Sequence, residues 1–338
     1  MLSCSENDKS GDKPETTEKN VSGTNEQKTE IINYLDTLNP NAIALKMNTG
    51  SKFSMLIDDD EELTGELSDE KGTVLQKQKL KQVNNVIYDC EITNVTGNGN
   101  FVMDITFARI KSKIDAGQLK QQTFDSKNHT TLKDVPPEYY IPYSLVGKTY
   151  NVTLTPLGKL VKVNKIASLT ETIVNELKDT KITGGQIKEI LKKEFDFDKL
   201  YNYFSKLFNY ANGKVHKRGD TWKNQYRQNL DKTVTVNSKY ELVKYDKIIS
   251  KIKIEAELAD TQPDSENING VITTKKRVGG SLSGIIKINN QTGFIIESHY
   301  SQIFNVDEEQ INKNKPDKIL HSKLKRITKH NVIVKQKK

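Results

Sequence analysis

Residues 240–258 read YELVKYDKIISKIKIEAEL, and the alternation in them decides the fold class. Tyr240, Leu242, Ile248, Ile252, Ile254, Ala256 and Leu258 are separated by charged and polar residues at a period of two. That period gives an extended strand one apolar and one wet face. The segment belongs to a longer stretch, Gly219 to Ile303. It opens with Gly219-Asp220-Thr221-Trp222, continues through Val234 and Val236, and closes in a hairpin-like run, Gly284 to His299. The turn of that run is Asn289-Asn290-Gln291-Thr292-Gly293. Trp222, the single tryptophan, is expected to plug the apolar side of the sheet.

A weaker copy of this plan comes earlier. Gly50-Ser51-Lys52-Phe53 starts it, Val86 to Ile110 supplies long strands, and Gly147 to Val163 closes it around Pro156-Leu157-Gly158. Val86, Tyr88, Cys90 and Ile92 share one face. Phe101, Met103, Ile105 and Phe107 share another, with the turn residues Gly97-Asn98-Gly99 between the two sets. Ala44 to Met47 and Phe53 to Ile57 read as strands flanking Gly50, and Gln118 to Phe124 as a strand before an Asp125–Asn128 turn. Pro136-Pro137 marks a loop.

Between the copies the period changes. Ile166, Leu169, Ile173 and Leu177 have helical spacing, and Ser168 with Glu171 fits a capping box. Ile187, Ile190 and Leu191 mark a second helix after Gly184-Gly185. Phe197, Leu200, Tyr201, Phe204, Leu207 and Phe208 mark a third. Its aromatic stripe, with Tyr203 and Tyr210 beside it, reads as core packing in preference to a ligand box. The fold class is therefore mainly β (α+β): two related, curved antiparallel β units with long strands, joined by a short helical insert. The expected division is 1–28 tether, 29–164 first β unit, 165–210 helical insert, 211–305 second β unit and 306–338 Lys-rich C-terminal segment.

The chain of 338 residues carries a net charge of +8 and is 34% hydrophobic. Strands with one wet face produce such a low apolar fraction without disorder. The charge is unevenly placed: residues 5–30 sum to −3 and residues 313–338 to +9. Only five of the 52 basic residues are Arg: Arg109, Arg218, Arg227, Arg277 and Arg326. Surfaces that read bases or fork phosphates favour Arg, so no nucleic-acid partner is expected. The C-terminal segment reads as a last edge strand pair or as a basic tail, its lysines discouraging edge-to-edge pairing. The acidic run Asp58-Asp59-Asp60-Glu61-Glu62 lacks the alternation and central Gly of an EF-hand, and reads as a solvated strand end.

The two cysteines form no disulfide framework. Cys90 alternates with Val86, Tyr88 and Ile92 and reads as a small core hydrophobe. Met1-Leu2-Ser3-Cys4-Ser5 matches the end of a bacterial lipobox, in which the Cys is lipidated after cleavage. The charged and apolar regions of a full signal peptide are missing ahead of it, and no 18-residue apolar run is present. From Ser5 to Lys28 the only large aliphatic residue is Val21, a composition that cannot offset its ordering entropy. A lipidated Cys4 followed by a polar tether would hold the body off a membrane. Ile31, Tyr34, Leu35 and Leu38 then fit one short amphipathic helix ended by Asn39-Pro40.

Signatures of catalysis are absent from the sequence. His129, His216, His299, His321 and His330 show no metal spacing, and no cofactor is expected. There is no Gly-x-Ser-x-Gly elbow, phosphate loop or His-Glu-x-x-His. Arg218-Gly219-Asp220 reads as the turn into a strand, in the place Gly50-Ser51 takes in the first copy.

The arrangement of Gly-x-x-aromatic strand starts, Val146-Gly147-Lys148, Thr155-Pro156-Leu157-Gly158-Lys159-Leu160-Val161, Gly219-Asp220-Thr221-Trp222 and Thr292-Gly293-Phe294 resembles a family of uncharacterised bacterial lipoproteins. The family is common in Bacteroidota and is known as a domain of unknown function. The matching stretches are Leu45 to Phe53, Leu145 to Val163, Gly219 to Trp222 and Gly279 to Ile296, within 43–303. The resemblance implies export and a lipid anchor, and it carries no catalytic residues. The missing signal peptide and the C-terminal 35 residues depart from it.

The expectation is a membrane-anchored envelope lipoprotein, periplasmic or surface-exposed. It would act as a non-enzymatic binding or scaffolding module with an apolar ligand or an envelope protein as partner. A half-barrel could hold the ligand against Tyr88, Met103, Ile105, Ile252 and Ile254. If the greasy faces fill one another instead, a solid protein remains that binds a partner at an edge. The alternative is an envelope hydrolase acting on glycan or peptide, for which a buried His with an acid partner would count.

Overall fold

A computed structural model describes residues 39–117, 121–229, 233–260, 266–268, 271–312 and 315–337. Cys4, the tether and the expected helix at Ile31–Leu38 lie outside them, as does the start of the strand expected from Gln118. Among the described residues thirteen strands form one antiparallel sheet. In chain order they are β1 Lys52–Asp69, β2 Val74–Val95, β3 Phe101–Asp115, β4 Gln122–Asp125, β5 Thr149–Leu154 and β6 Leu160–Asn164. After the helices come β7 Thr221–Asn229, β8 Thr233–Tyr245, β9 Ile249–Asp260, β10 Glu266–Ile268, β11 Val271–Asn289, β12 Ile295–Asn312 and β13 Lys315–Gln336. The order across the sheet is β6-β5-β3-β2-β1-β13-β12-β11-β9-β8-β7, with β4 paired to β3 and β10 to β11.

The strands of the two expected units thus share one sheet, joined where β1 meets β13. The chain leaves the centre, runs out to the β6 edge, crosses by helices, and returns from the β7 edge. The two strand starts have the same local geometry. Gly50 N–H donates to Ile92 O at 2.7 Å and Ile92 N–H to Ser51 O at 2.9 Å. Gly219 N–H donates to Leu242 O at 2.8 Å and Leu242 N–H to Asp220 O at 3.0 Å. Arg218-Gly219-Asp220 is accordingly the turn into β7.

Several expectations need correction. The alternating run 240–258 is a hairpin, because the Asp246 carboxylate accepts from the N–H groups of Ile248 and Ile249 and turns the chain between β8 and β9. The acidic run is not a strand end but the middle of β1. The Lys-rich C-terminus is neither an edge nor a tail, since β13 lies between β1 and β12. One physical cause underlies both of these corrections. Glu66 on β1 and Asp307 on β12 both stand opposite Lys323 on β13, and Asp60 opposite Lys329. On the other side Lys79 pairs with Glu62 at 3.0 Å and Lys77 with Glu66 at 3.6 Å. Acidic strands alternate with basic ones, so opposite charges are cross-strand neighbours. Lastly, Ala44 to Met47 is extended but belongs to no strand. Leu45 N–H donates to Pro156 O and Lys46 N–H to Thr292 O, so the segment ties together the turns of both closing hairpins. Ala44 and Leu45 are 0% and 1% exposed. Gly293 makes this approach possible: its φ is +66°, and a Cβ there would lie 1.6 Å from Ala44 O.

The helices are α1 Tyr140–Leu145, inside the expected Pro136-Pro137 loop, then α2 Ile166–Glu176, α3 Gly184–Glu194 and α4 Phe197–Phe208. The expected Ser168/Glu171 box does not form. Lys165, in the left-handed region at φ 67°, precedes α2 without a side-chain cap, and the capping box belongs to Thr183 and Gln186 on α3. α4 packs against both sheet edges, β6 and β7. Gln302 on β12 donates to Gln228 on β7 at 3.2 Å although three strands separate them. The sheet is therefore strongly curved. Gly284 on β11 permits the curl, since a Cβ there would meet His299 O at 2.3 Å. No helix among the described residues is long and apolar enough to cross a membrane.

Candidate functional site

Two features of the folded protein bear on function. The first is a groove between α4 and the edge strand β7. Asp196 caps α4 by accepting from the N–H groups of Asp198 and Lys199. Leu200, Phe204, Leu207 and Phe208 of that helix are buried in the core, Tyr201 packs half-buried against it, and Phe197 is exposed. Strand alternation sends Trp222, Asn224 and Tyr226 of β7 inward and Lys223, Gln225 and Arg227 outward. The groove floor is fixed by polar ties. Trp222 Nε1–H donates to Tyr210 O at 3.0 Å, its ring lying between His216 at 4.3 Å and Tyr240 at 5.5 Å. Asn224 Nδ2–H donates to Asn209 O, and Asn209 Nδ2–H to Tyr240 Oη at 3.2 Å.

Two hollows of about 530 and 670 Å³ lie along this groove and share Tyr201, Gln225 and Tyr226. Both volumes fall in the range of ligand sites. The first reaches the β5–β6 turn at Lys159, and the second reaches Asp198 and Arg227. A further depression of about 730 Å³ lies on the outer face of β7, β8, β9 and β11 among Lys239, Glu255 and Ser283. It lacks aromatic walls.

The second feature is a cluster of charged and phenolic groups where β1, β13 and β12 meet α4. The strand register places Asp59, His330 and Tyr300 side by side. His330 Nδ1 is hydrogen-bonded to the Asp59 carboxylate, and its ring lies 4.6 Å from that of Tyr300. Lys206 of α4 sits 4.8 Å above the Tyr300 ring. Burial pushes the Asp59 carboxyl up. The hydrogen bond and charge of His330, with the charge of Lys206, outweigh this and hold it below the usual carboxylate value. Burial, and then the Lys206 charge, push His330 down despite Asp59. At neutral pH the pair is therefore a carboxylate accepting from the Nδ1–H of a neutral imidazole. Among the described residues, His330 Nε2 and the hydroxyls of Tyr203 and Tyr300 are buried without a hydrogen-bond partner. Such groups mark places where water or a ligand supplies the missing bond.

Met103, Ile105, Ile252 and Ile254, expected to line a cavity, are buried in one continuous core, and Tyr88 packs against it. Ile252 is 0% exposed, and none of the five lines either hollow of the groove. Cys90 lies in the same core, where burial pushes its thiol up. The aromatic stripe of α4 serves the core through Phe204 and Phe208, and Tyr201 packs against that core while also lining the groove. His299 is on the outer face of β12 with Glu297 and Asn331. Among the described residues no group of His, Cys, Asp and Glu could hold a metal. The sequence reading missed the Asp59–His330 pair, whose members stand 271 positions apart. Only the register of β1 on β13 could have paired them.

The model of a family of unknown function, DUF6263, matches residues 98–295. No curated protein matches the chain. Among solved structures it is similar to lipovitellin, from a study of lipid–protein interactions, at 9% identity and a TM-score of 0.44, over 86% of this chain. The chain spans 25% of that lipovitellin chain. It is also similar to an outer membrane channel from Pseudomonas putida F1 at 7% identity and a TM-score of 0.23, over 86% of this chain and 97% of the channel.

Proposed function

This chain belongs to the DUF6263 family, whose function is unknown, and we propose that it is a non-enzymatic binding module of the bacterial cell envelope. In this reading a lipid on Cys4 holds it to the outer membrane. Its partner binds in the groove between α4 and β7, outside the interior of the sheet. The observation that carries the proposal is the filled inner face. Met103, Ile105, Ile252 and Ile254 pack into the same core as Phe204 and Phe208 of the helix, so the face suited to an apolar ligand is already covered. The polar groove at the sheet edge is open and has hollows of ligand size. The anchor rests on Cys4 in its lipobox-like setting and on the polar tether after it.

The Asp59–His330 pair favours a second reading, an envelope hydrolase acting on glycan or peptide. It presents a neutral, oriented imidazole of the kind a general base requires. Among the described residues no Ser, Thr or Cys bonds its Nε2, and this reading takes water as the nucleophile.

Mass spectrometry of the protein from its native membrane, with hydroxyl-radical footprinting in the presence of purified envelope glycan or peptide, tests the proposal. Acylation at Cys4, no lipid inside the fold, and protection at Tyr201, Gln225 and Tyr226 are expected. An unmodified Cys4 overturns the anchor, and protection confined to other surfaces overturns the groove. Turnover of the added material that His330→Gln abolishes selects the hydrolase.

A further inference from the structure

The binding reading leaves open what the groove accepts, and the chemistry of its walls narrows the choice. Planar amides recur: Asn202 from α4, Asn209 and Asn212 after it, and Asn224 and Gln225 from β7. Asn209, Asn212, Asn224 and Gln225 are held in place by hydrogen bonds within the protein, and each amide nitrogen keeps a second N–H for the hydroxyls of a sugar ring. Beside them stand Phe197 and Tyr201, one helical turn apart. Their rings are stacked at 6.2 Å and 29°, and Phe197 is 44% exposed. Phe197 offers an exposed aromatic face on α4 outside the hollows, while Tyr201 and Tyr226 wall both of them. A lipid chain would find too little apolar surface here. An added peptide strand would need pockets for alternate side chains, which this lining does not provide.

Charge refines the class. Lys159 and Lys214 flank one hollow and Arg227 the other, against the single carboxylate of Asp198. The net positive lining attracts anions, and Arg227 is exposed and able to fork a carboxylate. Two hollows meeting at Tyr201 and Tyr226 suit linked rings better than one.

We propose that the groove between α4 and β7 is a binding site for an acidic oligosaccharide, its rings on Phe197 and Tyr201 and its carboxylates toward Arg227, Lys159 and Lys214. This rests on the binding reading above. Trp222, the only tryptophan in the chain, lines the groove and reports occupancy by its emission.

The folded protein is titrated with an oligogalacturonate, with a neutral glucan oligomer of equal length, and with an unstructured peptide of similar size. Saturable change in Trp222 emission with the oligogalacturonate is expected, weakened at least about tenfold in Tyr201→Ala and in Arg227→Gln, and weakened by salt. The neutral oligomer should bind at least about tenfold more weakly. Thermal midpoints of both variants are measured alongside, and Arg227→Gln, at an exposed position, is the variant that keeps the test independent of folding. Sugar binding indifferent to both substitutions overturns the proposal. Binding of the peptide but of neither sugar also overturns it while leaving the groove as the binding site. Failure of all three probes to bind overturns the sugar class and the groove together.

Discussion

His330 donates its Nδ1–H to Asp59 across the β13–β1 pair, and only 2% of the residue is exposed. Because the folded protein holds this imidazole neutral, its pKa is depressed, while the unfolded chain protonates near 6.5. Below that value the unfolded state binds the extra proton, so stability is lost as pH falls from about 6.5 toward the folded pKa. Asp59 adds a loss at lower pH. Its depressed pKa contributes stability above the unfolded value of 3.8 that disappears as pH falls through the folded one. Urea midpoints from pH 8 to 5 should decline below about 6.5 in the native sequence and stay flatter in His330→Gln. Equal slopes would mean that His330 takes up its proton at the same pH in the folded and unfolded states.

The turn held against Ala44 is expected to be intolerant of a side chain. Gly293→Ala adds a Cβ where Ala44 O already lies and forces a left-handed backbone on a non-glycine residue. A loss of at least about 2 kcal/mol is expected, read as a lower urea midpoint at unchanged slope.

Trp222 serves both fold and groove. Trp222→Phe keeps much of the stacking on His216 and Tyr240 but leaves Tyr210 O without its donor. About 1–3 kcal/mol should be lost, since a buried carbonyl is stranded. Calorimetry of the variant checks this.

The central charge ladder predicts a salt-dependent defect. Lys323→Glu puts like charges opposite Glu66 and Asp307. A cost of about 0.2–1 kcal/mol per pair is expected at low salt. Most of it should vanish near 1 M salt, where charges are screened over about 3 Å. Thermal melts at two salt concentrations measure it.

Much of this architecture was legible in residue order. Period-two runs such as Phe101–Phe107 and the helical spacing of Phe197–Phe208 are local signals, set by which face is buried. Where an expectation failed, the cause lay in pairing between distant strands. Nothing near Asp58–Glu62 says that the lysines of 315–337 will lie beside it, so acids bound for the sheet centre look like a strand end. The hairpin at Asp246 was hidden because the alternation resumes in phase after the turn. The groove combines Tyr201 with Gln225 and Tyr226, which meet only once α4 has packed on β7. Tyr201 was legible as a core-packing aromatic of α4, but not as one that also lines the groove.

The account's central claim is that the inner face is filled and that binding takes place at the edge. A titration with a fluorescent long-chain fatty acid, followed also by the methyl NMR signals of Met103, Ile105, Ile252 and Ile254, tests it most directly. No saturable uptake and unmoved methyl signals are predicted. One-to-one uptake that shifts those four methyl groups would contradict the account and return the protein to the class of apolar-ligand carriers.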